Sequence, residues 1–520
     1  MNSKRPSQLP IIIVTGASGL VGRHFVKSFY DGFYIYAIAR RSQKEGCVPI
    51  NKNINWIRCD IGEKESIENL FQDIADKGGA DFIIHLAGFY DFDGKDSPEY
   101  ERTNVKGTQY ILESAKKLNL KRFIFASSLV VTKFETPGLV INEKSKADAN
   151  LFYGISKRKG EALSQKYSKH FPVAIVRMAA IFSDWCEYGP LYNFLKTWLS
   201  KSWKSNILAG KGKAAVPYLH IKNLNLLFIK IIQNTANLPE YDIYIASPSG
   251  CTSQKNLFAI SVRYDSGHQV EPFFLPKWLA CAGLIVITYL GKIIGKQTFE
   301  KLWMIKYVDL QLNVDSSYTQ NTLNWRPVER FDIKRRLLFL IENMKSNPVD
   351  WHRKNLEAIA KRDLKNPNLI IYEALHSLKD EMVLKIVKNM KSDAYKSRFP
   401  SYNKLKMKLH LERTRYVYSM FETAIRTGYR IHVLSYARNL ASERYKEGFF
   451  VHEVIDAIQF IGDFMVKALL ENPALATHPD PLKMEQKIYD GITLTIQLII
   501  DELKDSFDRM EKYTKEIDKN

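Results

Sequence analysis

The stretch Tyr-Gly-Ile-Ser-Lys, Tyr153 to Lys157, sets a phenol and an ammonium four residues apart. On a helix, positions i and i+4 lie on one face. A phenol titrating near 10 is a poor acid or base at neutral pH, and an ammonium beside it favours the phenolate and lowers that value. Such a pair suits a phenol that works as an acid or base. Upstream, the apolar run FIFASS ends in Ser127 and Ser128, whose hydroxyls could bind that same oxygen. Asn104, in YERTNVKGT, is a candidate for holding a water in a proton relay, or else an ordinary polar helix residue. Alone, a YxxxK pair is common by chance; these companions give it weight.

A second chemistry lies at the start of the chain. TGASGLVG, Thr15 to Gly22, follows the apolar run IIIV and precedes a helical pattern. Gly16, Gly19 and Gly22 permit a tight turn and let the backbone approach a pyrophosphate, with Ser18 and Leu20 between them. The helix that follows turns its free N–H groups and positive dipole end toward the anion. The second strand ends in AIARRSQ, where a fold selecting NAD carries an acid for the ribose 2′-hydroxyl. Arg40 and Arg41 stand there instead and suit a 2′-phosphate, so NADP is favoured, with NAD open. Asp60, with Ile61 after it, is expected either to cap the next helix or to accept from an adenine amino group. HLAG ends the fourth strand; Leu86, Ala87 and Gly88 would let a cofactor lie against the backbone, and His85 reads as a packed strand-end histidine.

These residues need a scaffold, and the hydrophobic pattern supplies one. Short apolar runs at Ile11–Thr15, Tyr34–Ala39, Ile54–Cys59, Phe82–Leu86, Arg122–Ser127 and Val173–Met178 alternate with amphipathic stretches. That is the rhythm of stacked βαβ units on a parallel sheet, a doubly wound α/β fold of Rossmann type. Residues 180–330 are less regular and predict a small substrate lobe, with an aromatic-rich helix around Tyr192–Trp203. The apolar part of FFLPKWLACAGLIVITYLGKIIGK, Trp278 to Leu290, is shorter than the ~20 residues that span a bilayer. Lys277, Lys292, Lys296 and Trp278 around it suit a helix lying in a membrane interface; a buried helix over the substrate pocket is the alternative. A charged, Pro-bearing stretch, 346–368, predicts a linker. Beyond it, 369–520 predicts an all-α bundle of four or five helices. One stripe runs Val451, Val454, Ile455, Ile458, Ile461, Met465 and Leu469, another from Ile492 through Leu494 and Ile499 to Phe507.

The 520 residues carry a net charge of +20, which favours anionic partners, although the basic residues are spread along the chain as on a solvated surface. Five cysteines without a CxxC pair indicate neither zinc nor disulfides, and no metal is expected. A cytoplasmic protein, peripheral at a membrane if the apolar helix touches one, fits best. The N-terminal apolar run ends in the glycine loop, so it reads as a strand rather than a signal peptide.

Taken together, TGASGLVG, the DI at Asp60, HLAG, TNVKGT, the serine pair and YGISK resemble the extended short-chain dehydrogenase/reductases, the NAD-dependent epimerase/dehydratase superfamily, over residues 8–345. NVDSSYTQNTLNWRP is similar to that family's late segment. The resemblance implies a catalytic set Asn104, Ser128, Tyr153 and Lys157, with Ser128 favoured over Ser127, and Tyr153 exchanging a proton as hydride moves to or from a nicotinamide. Met178, Lys222 and Asn223 depart from the family pattern and weigh against a nucleotide sugar. Leu129 and Val130 follow Ser128 where sugar dehydratases carry acids. The apolar lobe around 273–294 is similar to the hydroxysteroid dehydrogenase and flavonol-reductase branches. SYARNLASERYKEGFFVHEVIDAIQFIGDFMVKALL resembles the helical N-terminal sensor domain of bacterial stress-response co-antagonist proteins. His452 and Glu453 are either binding residues or the first turn of a packed helix.

The expected activity is therefore an NADP(H)-dependent oxidoreductase interconverting a carbonyl and an alcohol on a small hydrophobic, lipid- or sterol-like substrate, with a fused helical regulatory domain. A sugar-type epimerase is the first alternative, and a dinucleotide-binding sensor without turnover the second. A homodimer and a regulatory ligand or protein partner for 369–520 are open. No nucleic-acid motif is present, and charge alone is nonspecific.

Overall fold

The computed structural model describes residues 6–92, 94–294, 300–359, 367–427, 430–476 and 481–517. Lys296 and the middle of the expected linker lie outside the described residues. Chain contacts divide the molecule between Ser346 and Asn347 into two compact units.

The first unit is built on a seven-stranded parallel sheet. Its order is Ile54–Arg58 (β3), Tyr34–Ala39 (β2), Ile11–Thr15 (β1), Phe82–His85 (β4), Arg122–Ser128 (β5), Val173–Met178 (β7) and Tyr241–Ala246 (β12). The six expected strands are all present, within a residue at each end. The seventh, YDIYIA, extends the far edge beside β7. Continuous apolar runs form the middle strands because both faces are covered. Along β1, Ile11 and Ile13 join one buried layer while Ile12 and Val14 join the other. Helices Leu20–Phe29 (α1), Lys64–Asp76 (α2), Thr108–Ala115 (α3) and Phe152–Tyr167 (α4) supply the layers. The chain reverses direction between β1 and β4, which opens a crevice at their C-terminal ends.

Short two-stranded pairs build the lobe: Val140–Ile141 (β6) with Asn313–Val314 (β15), Ala180–Phe182 (β8) with Tyr218–His220 (β11), Ile207–Ala209 (β9) with Phe273–Leu275 (β14), and Ala215–Val216 (β10) with Thr252–Ser253 (β13). Helices Gly189–Trp198 (α5), Ile221–Gln233 (α6), Gln254–Ser266 (α7), Lys277–Ile294 (α8), Ser317–Thr322 (α9) and Ile333–Ser346 (α10) complete the unit. The aromatic helix ends at Trp198; Trp203 instead opens an exposed 3-10 turn. Asn223 accepts from the Val328 N–H at 3.0 Å, and its carbonyl accepts from the Trp325 indole at 3.1 Å. This position therefore fastens the late segment to α6. None of the side chains described along α8, Lys277 to Thr288, is buried, so α8 is not the buried helix that one reading of its sequence expects.

The second unit is helical. Pro348–Ile359 (α11) is a helix where the sequence predicts a linker, because Trp351 and Asn355 are buried and α11 packs on the helix Met407–Thr427. Pro367–Met390 (α12), Pro400–Lys404 (α13), Met407–Thr427 (α14), Ile431–Lys446 (α15), Val451–Leu470 (α16), Pro473–Ala476 (α17) and Pro481–Ile517 (α18) share one apolar core. Val454, Ile458, Ile461, Met465 and Leu469 face that core. On α18 the inner stripe is Ile492, Ile499, Leu503 and Phe507; Leu494 is half exposed, since two residues from Ile492 the helix has turned away. Glu453 is buried and accepts from the N–H groups of Ser401 and Tyr402, a packed first-turn residue, while His452 is exposed.

Candidate active site

The glycine loop is fixed by how closely two turns meet. Gly16 has φ +70° and lies against the turn after β4, where a β-carbon would come within 2.7 Å of the Ala87 nitrogen. At Gly22 a β-carbon would meet the Gly16 carbonyl oxygen at 2.3 Å. Both positions therefore require glycine. The Gly19 N–H closes the turn on Gly16 at 2.9 Å. No side chain caps the start of α1, whose first-turn N–H groups remain directed at the crevice. This cradle, built at the switch point, fits a dinucleotide pyrophosphate. Ser18 is buried in it and Leu20 half-buried.

Arg40 and Arg41 stand exposed at the end of β2. Partial burial pulls the Arg41 guanidinium below its ordinary value, and the nearby charges of Arg23 and Arg40 add to this. Asp60 does not cap α2, whose N-cap is Glu63. It accepts from the Gly62 N–H at 2.9 Å and pairs with Arg102 at 2.9 Å. Burial raises its carboxyl, but the Gly62 amide and the Arg102 guanidinium hold it below the usual carboxylate range. Ile61 is buried and packs against Gly107.

After β4, the Leu86 N–H donates to the Thr15 carbonyl at 3.3 Å and the Ala87 N–H to the Thr15 hydroxyl at 3.2 Å. His85 lies between the Thr15 and Thr108 hydroxyls at 2.8 and 3.0 Å. Desolvation first, then the charge of Lys157, pushes it down to about 3, so it stays neutral and structural.

Asn104 lies in a π-helical turn, Tyr100–Gly107, a feature that re-aims side chains. Its amide donates to the Phe89 carbonyl and the Ser156 hydroxyl, both at 2.9 Å, and its oxygen accepts from the Phe89 N–H at 2.6 Å. It ties the turn after β4 to α4. The two serines separate by strand alternation. Ser127 points inward and donates to Glu161 at 2.6 Å. Ser128 ends β5 half-buried and is the N-cap of the next turn.

Tyr153 and Lys157 are one turn apart at the start of α4, with the Lys157 Nζ 6.0 Å from the Tyr153 ring centre. Lys157 is buried and donates to the Ala126 carbonyl at 2.8 Å. A β-carbon at Gly88 would lie 3.3 Å from both the Lys157 Nζ and the Asn104 Oδ1, so the turn after β4, the lysine and the asparagine meet at one point. Burial lowers the ammonium to about 8, against the opposing pull of Glu161. The tyrosine departs from expectation: burial, followed by Tyr100, pushes its phenol up rather than down. The lysine's proton is engaged by Ala126, and desolvation of the phenol dominates.

Several partners carry no signature in sequence. Arg177 and Glu161 form a buried pair at 2.8 Å beneath the lysine. Glu187, paired with Arg23 and His24, is raised by burial and then held down to about 2 by His24, Arg23 and Ser183. A row of rings borders Tyr153: Tyr90 at 4.5 Å and Tyr100 at 6.5 Å, continuing to Phe92 and Tyr188. The FYDF and EYGP clusters are its only sequence trace. Among the described residues no group of three or more His, Cys, Asp or Glu is placed to hold a metal ion.

The model of the NAD dependent epimerase/dehydratase family matches residues 12–246, the region that carries every element of this site. Among curated proteins, this chain is 29% identical over 262 residues to a dTDP-D-glucose 4,6-dehydratase of Dictyostelium discoideum, covering 45% of this chain and 58% of that protein. It is 25% identical over 218 residues to a putative UDP-glucose 4-epimerase of Methanocaldococcus jannaschii, covering 41% and 70%. Over 125 residues it is 31% identical to a vaccinia virus 3 beta-hydroxysteroid dehydrogenase/Delta 5-->4-isomerase, covering 23% and 34%. A solved UDP-glucuronic acid 4-epimerase from Bacillus cereus, in complex with UDP-glucuronic acid and NAD, is 18% identical with a TM-score of 0.49, covering 65% of this chain and 99% of that one.

Proposed function

We propose that the α/β unit is a nicotinamide-dependent enzyme that acts on a secondary alcohol or ketone of a sugar-type substrate, with an epimerase cycle as its leading form. The observation that carries this reading is the placing of Tyr153 and Lys157 on one turn of α4, against the turn after β4 that also contacts the glycine cradle. The curated sugar dehydratase and epimerase relatives favour a sugar over a lipid or sterol. A bound nicotinamide dinucleotide would supply the hydride acceptor and donor for the carbinol carbon. Tyr153 holds the proton of the reacting oxygen and Ser128 hydrogen-bonds that oxygen. Lys157 orients the nicotinamide ribose and supplies positive charge beneath the phenol. Asn104 is a positioning residue. Gly16, Ser18, Gly19, Leu20 and Gly22 would hold the pyrophosphate, and Leu86, Ala87 and Gly88 would border the nicotinamide half. Asp60, despite its Arg102 partner, keeps oxygen lone pairs for the adenine side. Arg40, Arg41 and the nearby Arg23 favour NADP through their shared positive field, with NAD as the alternative.

A second reading, net reduction of a hydrophobic carbonyl compound by NADPH, is favoured by the aromatic row beside Tyr153 and by the hydroxysteroid dehydrogenase relative. The helical unit is then a sensing or interaction module in either case. Incubation with NAD or NADP and a panel of UDP- and dTDP-sugars, followed by product chromatography and absorbance at the NAD(P)H band, tests the proposal. Epimer formation without net change of reduced cofactor, abolished in Tyr153→Phe, is the expected result. Stoichiometric NADPH consumption with hydrophobic ketones and none of the sugar products would replace it by the second reading. Tight dinucleotide binding without turnover on either panel would favour a sensor.

A further inference from the structure

The lobe bears an apolar helix with nothing described packed over its outer face. Along α8, Trp278 is 70% exposed, Ile285 50% and Val286 56%. No charged residue occurs from Trp278 to Gly291. A helix apolar all round is ordinarily buried in a core or placed in lipid, and the described part of α8 is not in a core. Two further aromatics continue this surface. Phe273 begins β14 and is 64% exposed; its strand pairs with β9, which follows the 3-10 turn opened by Trp203, 78% exposed.

Charge on these two segments is entirely of one sign. Between Glu187 and Glu240 there is no acidic residue, but there are seven lysines; between Glu271 and Glu300 there is again none, with Lys277, Lys292 and Lys296. The β9–β14 pairing brings both segments into one place. Lys201, Lys204, Lys211, Lys213 and Lys277 are exposed. The Lys204 Nζ lies 5.5 Å from the Trp203 ring centre, and Lys255 lies 5.5 Å from that of Phe274. The 211–213 loop touches Phe274, while Asp309, the acid that reaches this loop, holds the backbone N–H groups of Lys211 and Lys213.

We propose that this lobe docks on an anionic lipid surface, with α8 lying in the boundary between headgroups and acyl chains, Trp203, Phe273 and Trp278 as anchors, and the lysines against the headgroups. Exposed tryptophan beside lysine is the chemistry of a membrane interface, where the ring is amphipathic and the ammonium meets acidic lipid. A soluble protein partner would need no acid-free stretch of this length. Among the described residues no helix is long and apolar enough to cross a membrane, so the helix lies on the surface rather than spanning it.

The test is flotation of the full chain with phosphatidylcholine vesicles and with mixed phosphatidylcholine–phosphatidylserine vesicles. The variants are Ile285→Asp with Val286→Asp, and separately Lys201→Glu with Lys204→Glu. All these side chains are exposed, and an unchanged thermal midpoint and dinucleotide affinity confirm the fold of each variant. Wild-type protein should float with the anionic vesicles at least about ten-fold more than with the neutral ones, less so in high salt, and both variants should lose most of this. Equal flotation on neutral vesicles, equal flotation by both variants, or no flotation would overturn the proposal. A wild-type dimer on light scattering that Ile285→Asp with Val286→Asp dissociates, without flotation, would assign the face to a second copy instead. None of these readouts depends on the substrate.

Discussion

At Lys157, burial acts against the charge that the proposed chemistry would use. The folded-state value of about 8 lies below the ordinary 10.5. Between these two pH values the unfolded chain binds the proton and the folded chain does not, so stability rises with pH through that window and levels off above it. Denaturant melts of wild type and Lys157→Met across this range should show the wild type gaining stability relative to the variant, by a few kcal/mol on the order set by about 1.4 kcal/mol per unit. Parallel curves would mean that the ammonium is solvated. Tyr153→Phe is expected to lower kcat by about 10²–10⁴-fold. Its Kd for the dinucleotide should be unchanged, since in the proposed reaction the phenol serves the proton path and not the cradle. The pair itself was legible in the sequence, because i and i+4 on a helix is a geometric certainty once α4 exists. The direction of the phenol's shift was not: spacing reveals the neighbour, while desolvation depends on rings from Tyr90 and Tyr100 that arrive from another segment.

At the scale of elements, five of the six expected strands hold a continuous apolar run, which is why most of the sheet could be read directly; β3, INWIR, is interrupted by Asn55 at the sheet edge. The seventh, YDIYIA, carries an acid near its start and lies after an irregular stretch, so its membership depended on pairing with β7. Asp60 shows the same limit. An acid after a strand suits a cap or a nucleotide contact, but the Arg102 that claims it lies 42 residues on, in a π-helical turn that no periodicity announces. Gly22→Ala should drive α1 away from β1, because its β-carbon meets backbone rather than a movable side chain; titration should show dinucleotide affinity falling by at least about ten-fold. Glu161→Gln leaves Arg177 as a buried charge without its counter-ion, and should cost about 3–5 kcal/mol in equilibrium unfolding. A loss below about 1 kcal/mol would show that the site is hydrated.

Over the whole molecule, the change of character after residue 345 was plain in the sequence, since strand signals stop and helical stripes begin. The helix Pro348–Ile359 was not, because its composition is charged and it packs against α14, which lies far along the chain. The division after Ser346 predicts that residues 1–346 alone bind the dinucleotide with the affinity of the full chain. A loss of binding beyond about ten-fold, in a folded fragment, would show that the helical unit completes the cofactor site.

Helix α4 carries Tyr153, Lys157 and Glu161 at successive four-residue steps, so the phenol, the ammonium and the anion anchored to Arg177 follow one another along its length. The helix is thus a ruler whose far end is bolted to the floor of the domain. Adding or removing one residue between Lys157 and Glu161 would swing the near end through about 100° while the far end stays fixed. The proposed activity can therefore be switched off quietly by exchanging a single side chain, but not by sliding the helix, which would unseat the foundation along with the phenol.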